Sequence, residues 1–141
     1  MSLEQNIMVE VIDSISSILP FQIEEVKTEG LAPSEDCITV QIDTVGDYQS
    51  TIVLKGDNQF FNEVGKTLYG MELDQEMLYS FAGELWNMIL GGIMRTLGEK
   101  GIEIDITPPS IIQDQPVSSQ KYQLNVHFHD QVTTFFVYIN L

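Results

Sequence analysis

The sequence predicts an α+β fold of two layers, with long helices packed on one face of a mainly antiparallel sheet. Two observations carry that expectation. Apolar residues recur every three to four positions in three segments, which is the period of a helix with one buried face. Apolar and polar residues alternate in several others, and two pairs of these are joined by short turns, as antiparallel hairpins are. At 141 residues the chain fits one domain, 1–141, long enough for a core and too short for two ordinary ones.

Taken in order, Leu3 to Leu19 carries Ile7, Met8, Val11, Ile12, Ile15 and Ile18 at helical spacing, and Pro20 stops it. Phe21 to Thr28 alternates as a strand. Cys37–Asp43 and Tyr48–Leu54 are strand patterns joined through Thr44-Val-Gly-Asp47. Asp57 suits the N-cap of a short helix through Phe60, Phe61, Val64 and Leu68 that ends at Gly70. Asp74 caps a long helix, closed by Gly98 or Gly101. Ile102–Ile106 alternates again, and Thr107-Pro108-Pro109-Ser110 is extended because a proline drives its predecessor away from the helical region. Asp114 to Gln120 reads as a loop. Tyr122–Phe128 and Thr133–Ile139 are strands linked by His129-Asp-Gln-Val132. The last strand is apolar and poor in charge, so its hairpin mate or a second subunit should cover it.

Net charge is −15, from 21 acidic against 6 basic residues, which opposes binding to phosphate backbones or anionic membranes. Nucleic acid is not an expected partner. Solubility is the simpler account of the acidity, and steering toward a basic partner the other. Cys37 is the only cysteine, so no intrachain disulfide or thiolate cluster can form, which fits a reducing cytoplasm. No basic leader opens the chain, and no apolar run approaches the roughly 20 residues that span a bilayer.

The long helix holds the best clue to function. Glu84 and Asn87 stand one turn apart, so a carboxylate and a carboxamide address one target together. On an ideal helix Ser80, Asn87, Gly91 and Gly98 fall within about 60° of Glu84, while Phe81, Leu85, Trp86, Ile89 and Ile93 fill the opposite arc. Small neighbours leave the two polar side chains standing proud of that strip. Trp86, about 200° from Glu84, should anchor the core.

Gly83-Glu84-Leu85-Trp86-Asn87-Met88, Gly91, Leu97, Gly101 and Asp105-Ile-Thr-Pro-Pro-Ser110 together resemble the CheX/CheC family of chemotaxis phosphatases, and CheX most closely. The family's mark is E-x-x-N on a long helix with a glycine four residues after the Asn, followed in CheX by D-I-T-P-P-S/T. The resemblance implies an enzyme that removes phosphate from the aspartyl phosphate of a CheY-like response-regulator receiver domain. Asn87 would then position the attacking water and Glu84 would pair with the receiver's active-site lysine. Mg²⁺ would be bound by the receiver, leaving this chain with no cofactor of its own. One full motif is present, the single-site pattern of CheX, and a homodimer formed through the sheets is implied. Leu90 and Gly92 depart from the usual surroundings of the family's glycine, and Gly46-Asp-Tyr-Gln-Ser50 lacks a second glycine often found there. These departures bear on partner choice and rate more than on fold.

The chemistry suits those residue types. An amide can accept from water without adding negative charge beside phosphate, and a carboxylate forms a charge-assisted bond to an ammonium group. Ser80, Gly91 and Met94 are expected at the partner surface, with Met94 an apolar contact about 80° from Glu84. Met71, Met77 and Met88 are expected as core or rim filler. Glu10 and Asp13 repeat the spacing of Glu84 and Asn87, but with a second acid in place of the amide, and read as a solvated face. His127 and His129 share a strand face, yet two imidazoles are not a metal site. A non-catalytic domain that docks on a receiver or another signalling protein is the competing function, and a structural dimer whose polar pair is a mere surface hydrogen bond is the third.

Overall fold

The computed structural model describes residues 9–10, 13–14, 16–17, 22–26, 37–112, 120–128 and 131–140. These comprise β1 (Gln22–Val26), β2 (Cys37–Gly46), β3 (Ser50–Asp57), α1 (Asn58–Tyr69), α2 (Gln75–Glu99), β4 (Ile104–Ile106), β5 (Ser110–Ile112), β6 (Gln120–Phe128) and β7 (Gln131–Asn140). Val9, Glu10, Asp13, Ser14, Ser16 and Ser17 are helical, as the sequence requires of its first segment. The rest of that segment, and residues 113–119 of the expected Asp114–Gln120 loop, lie outside the described residues. One antiparallel sheet runs in the order β1-β6-β7-β3-β2-β4, with β5 also on β2. The last strand, β7, therefore lies between β6 and β3 rather than at an edge.

Both helices begin and α1 ends where local chemistry says they must. Asp57 accepts from the Phe60 amide at 2.9 Å, Asp74 accepts from the Met77 amide at 2.9 Å, and Gly70 closes α1 at φ 73°, a left-handed conformation that glycine adopts without a Cβ clash. Of the two glycines expected to end α2, Gly98 stays helical and Gly101 takes the left-handed turn at φ 89°.

Alternation along the central strands divides their side chains. Ile38, Val40 and Ile42 of β2, Ile52 and Leu54 of β3, and Phe135, Val137 and Ile139 of β7 join the buried faces of α1 and α2 in one core. Phe60 ties α1 down by stacking on Phe135 with ring centroids 4.9 Å apart. The intervening Val53, Phe136 and Tyr138 form a smaller cluster on the other face of the sheet, packed with Ile112.

The strands run longer than their alternation suggests. β2 continues to Gly46 because Thr44, Val45 and Gly46 pair with Ile106, Asp105 and Ile104 of β4. β5 is a strand that alternation does not announce, and it pairs Ser110, Ile111 and Ile112 with Gln41, Val40 and Thr39. Thr107-Pro108-Pro109 separates β4 from β5, since neither proline has an N–H for the ladder. Thr107 repairs that gap. Its amide donates to the Asp43 carbonyl at 2.9 Å, and its hydroxyl accepts from the Asp43 amide at 3.0 Å.

Candidate functional site

Helix α2 presents Glu84 and Asn87 to solvent near its middle, and its other side packs into the core. Trp86 fixes that orientation. It is fully buried, with its indole N–H directed at the Ile52 carbonyl 3.5 Å away, as expected of the anchor between the two site residues. Gly83, also buried, lies beside Pro109: a Cβ added there would stand 3.6 Å from Pro109 Cγ, an ordinary van der Waals distance. The Asp105–Ser110 segment thus touches α2 directly before Glu84. Both side chains are exposed, and among the described residues neither makes a side-chain hydrogen bond or ion pair, to the other or to a third residue.

Apart from the helix's own backbone, no heavy atom of the described residues lies within 4 Å of where a Cβ would stand at Gly91, one turn beyond Asn87, or at Gly92. No packing within the described structure calls for a glycine at either position, although each weakens the helix. Ser80 is exposed one turn before Glu84.

The methionines divide differently from what the sequence suggests. Met94, expected as an apolar contact to a partner, is only 6% exposed and belongs to the core, because the apolar arc of α2 is wide enough to reach it. Met77, Met88 and Met71, expected as core or rim filler, are 39%, 49% and 50% exposed and so stand outside the core. Met77 and Met88 fall about 20° and 40° from Glu84 on an ideal helix, and Arg95 about 20°. The strip around the pair therefore carries long side chains as well as small ones. Wheel angles alone could have found all three; treating apolar residues as inward hid two of them.

Beside Glu84 the surface drops into an open groove of about 520 Å³, which also involves Ser80. Its rim is set by α1, by the turn after Gly70, and by the first turns of α2. Leu73 holds that turn, its amide directed to Asn62 Oδ1 at 3.4 Å.

Among the described residues the remaining candidates form no second site. Glu10 lies 3.8 Å from Lys100 across the C-terminal end of α2, which accounts for one of the two acids on the first helix. His127 is half-buried, and His129 lies outside the described residues. Among the described residues no cluster of three or more His, Cys, Asp or Glu side chains could hold a metal ion, and no helix is long and apolar enough to cross a membrane.

Residues 38–130, well over half of the chain, match the family described as chemotaxis phosphatase CheX. Comparison with curated proteins gives no match. Among solved structures, chemotaxis protein CheX from Vibrio vulnificus superposes with a TM-score of 0.68 at 15% identity, over 96% of this chain and 97% of that one. The CheX protein in a CheX–CheY–BeF3–Mg complex from Borrelia burgdorferi gives 0.68 at 18% identity over 99% of both chains. FliY from Thermotoga maritima gives 0.66 at 17% identity, over 99% of this chain and 91% of that one. At these identities the likeness is one of fold.

Proposed function

We propose that this chain, which belongs to the CheX family of chemotaxis phosphatases, accelerates hydrolysis of the aspartyl phosphate of a CheY-like receiver domain. The observation that carries the reading is the exposed pair Glu84 and Asn87, whose side chains have no partner among the described residues, on a helix anchored in the core by Trp86. The complex of the Borrelia protein with CheY supplies the class of partner.

In this reading Asn87 enters the receiver's phosphorylation site, and its carboxamide oxygen accepts a hydrogen bond from a water in line with the phosphorus. The water oxygen bonds to phosphorus as the bond from phosphorus to the aspartyl oxygen breaks. Aspartate carboxylate and inorganic phosphate result, and the water's proton leaves with the phosphate or to solvent. Glu84 takes the receiver's active-site lysine in a charge-assisted hydrogen bond, which fixes the helix over the site. Ser80 and Gly91 allow the close approach. The Mg²⁺ of this chemistry belongs to the receiver and supplies charge stabilisation there. A cytoplasmic setting and a homodimer are part of the same proposal. Light scattering across a concentration series tests the dimer.

A second reading keeps the docking and drops the hydrolysis. The fold is shared with FliY at nearly the same TM-score, and a shared fold does not by itself carry an activity. One experiment separates the two. The host's receivers are phosphorylated, Mg²⁺ is present, and loss of phosphate is followed with and without this protein. Faster loss on at least one receiver is expected, whereas capture of a receiver with no gain in rate on any would establish the docking reading instead.

A further inference from the structure

We propose that the groove beside Glu84 is a second docking point for the same receiver, taking a surface segment that carries an apolar side chain and a lysine or arginine. This inference rests on the proposed function, because the receiver is the occupant. Tyr69, Met71, Met77 and Phe81 line an apolar trough of about 520 Å³, with Glu76 and Glu84 supplying its acids. Tyr69 is 55% exposed and meets Phe81 edge-on at 5.6 Å between ring centroids. Water covers an aromatic and two methionines that could have been placed inside, and a patch of this kind marks an interaction surface.

Two observations choose the occupant. Glu84 belongs both to the groove and to the pair that addresses the phosphorylation site, so a receiver whose lysine reaches Glu84 must lay the neighbouring part of its own surface over the trough. The groove's charged groups are both acidic, on a chain of net charge −15, so the covering segment must bring positive rather than negative charge. The trough is also formed before binding. Asp74 caps α2, Gly70 closes α1 and Leu73 is tied to Asn62, so little ordering entropy opposes docking.

The test is kinetic, on the receiver that the wild-type protein dephosphorylates fastest. The variant Met71→Ser/Met77→Ser changes two exposed side chains and should fold normally. Its KM for the phosphorylated receiver should rise about tenfold with kcat within about twofold of wild type. Glu76→Lys should raise KM as well and reduce its dependence on salt. Normal KM in both variants, with hydrolysis intact in the wild type, overturns the groove and spares the proposed function. If the wild type hydrolyses nothing, affinity for beryllofluoride-activated receivers is measured instead. Weaker binding by the groove variants then supports the groove while the catalytic reading fails, and unchanged or absent binding overturns it. Loss of self-association in the groove variants, with receiver binding unchanged, would assign the trough to a second copy and overturn the proposal.

Discussion

Alanine at Gly91 should make the fold more stable and the protein less active. Among the described residues, and apart from the helix's own backbone, the new methyl meets no atom inside 4 Å, so no clash there opposes it. Glycine in a helix interior costs about 0.8–1.0 kcal/mol relative to alanine, so Gly91→Ala should gain somewhat less than 1 kcal/mol. For a domain of this size that corresponds to roughly 3 °C in melting temperature. The same methyl projects about 20° from Glu84, one turn beyond Asn87, into the space that the proposed receiver occupies. An extra methyl in a close contact costs about 1–3 kcal/mol, or roughly five- to 150-fold in kcat/KM. Gly92→Ala is the internal control. It too meets nothing within 4 Å, yet it projects about 80° from Glu84 and about 140° from Asn87. Thermal melts and phosphate-release rates on a phosphorylated receiver would be recorded for both variants. Equal loss of activity from the two, or a Gly91→Ala protein no more stable than wild type, would refute the reasoning.

Trp86→Ala should cost about 3–5 kcal/mol, since a fully buried indole leaves a cavity under the site, and urea unfolding would show it as a lower midpoint. Gly46→Ala should cost about 1–3 kcal/mol by the same assay, because φ is 104° there and a Cβ would lie 2.6 Å from the Glu103 carbonyl oxygen. Burial of the Tyr138 phenol, with Cys37 nearby, raises its pKa above the ordinary 10.0. Below pH 10 both states keep the proton; above it the unfolded chain releases its proton first, so this group lowers stability as pH rises through the raised folded value. Tyr138→Phe should flatten that alkaline loss in urea midpoints measured at pH 9 and pH 11.

What could be read in the sequence was what short-range chemistry decides. Asp57, Gly70 and Asp74 cap their helices because a cap involves residues three or four apart, and Trp86 is buried because its helix has one broad apolar arc. The extension of β2 to Gly46 and the existence of β5 depend on partners 58 to 73 residues away, which alternation cannot report. The Thr-Pro-Pro segment could be read as extended, but its work is tertiary. It bonds Asp43 through Thr107 and rests Pro109 against Gly83. Glu84 and Asn87 were found as a polar pair on an apolar helix. The groove was not, because it joins α1, the turn after Gly70 and α2, and its methionines look like core residues in sequence.

The central claim is that Asn87 places the attacking water. Single-turnover release of phosphate and affinity for the beryllofluoride-activated receiver should be measured side by side for wild type and Asn87→Ala. The account predicts a loss on the order of 10²-fold in the turnover rate with affinity little changed. An Asn87→Ala protein that releases phosphate as fast as wild type while binding equally well would contradict it.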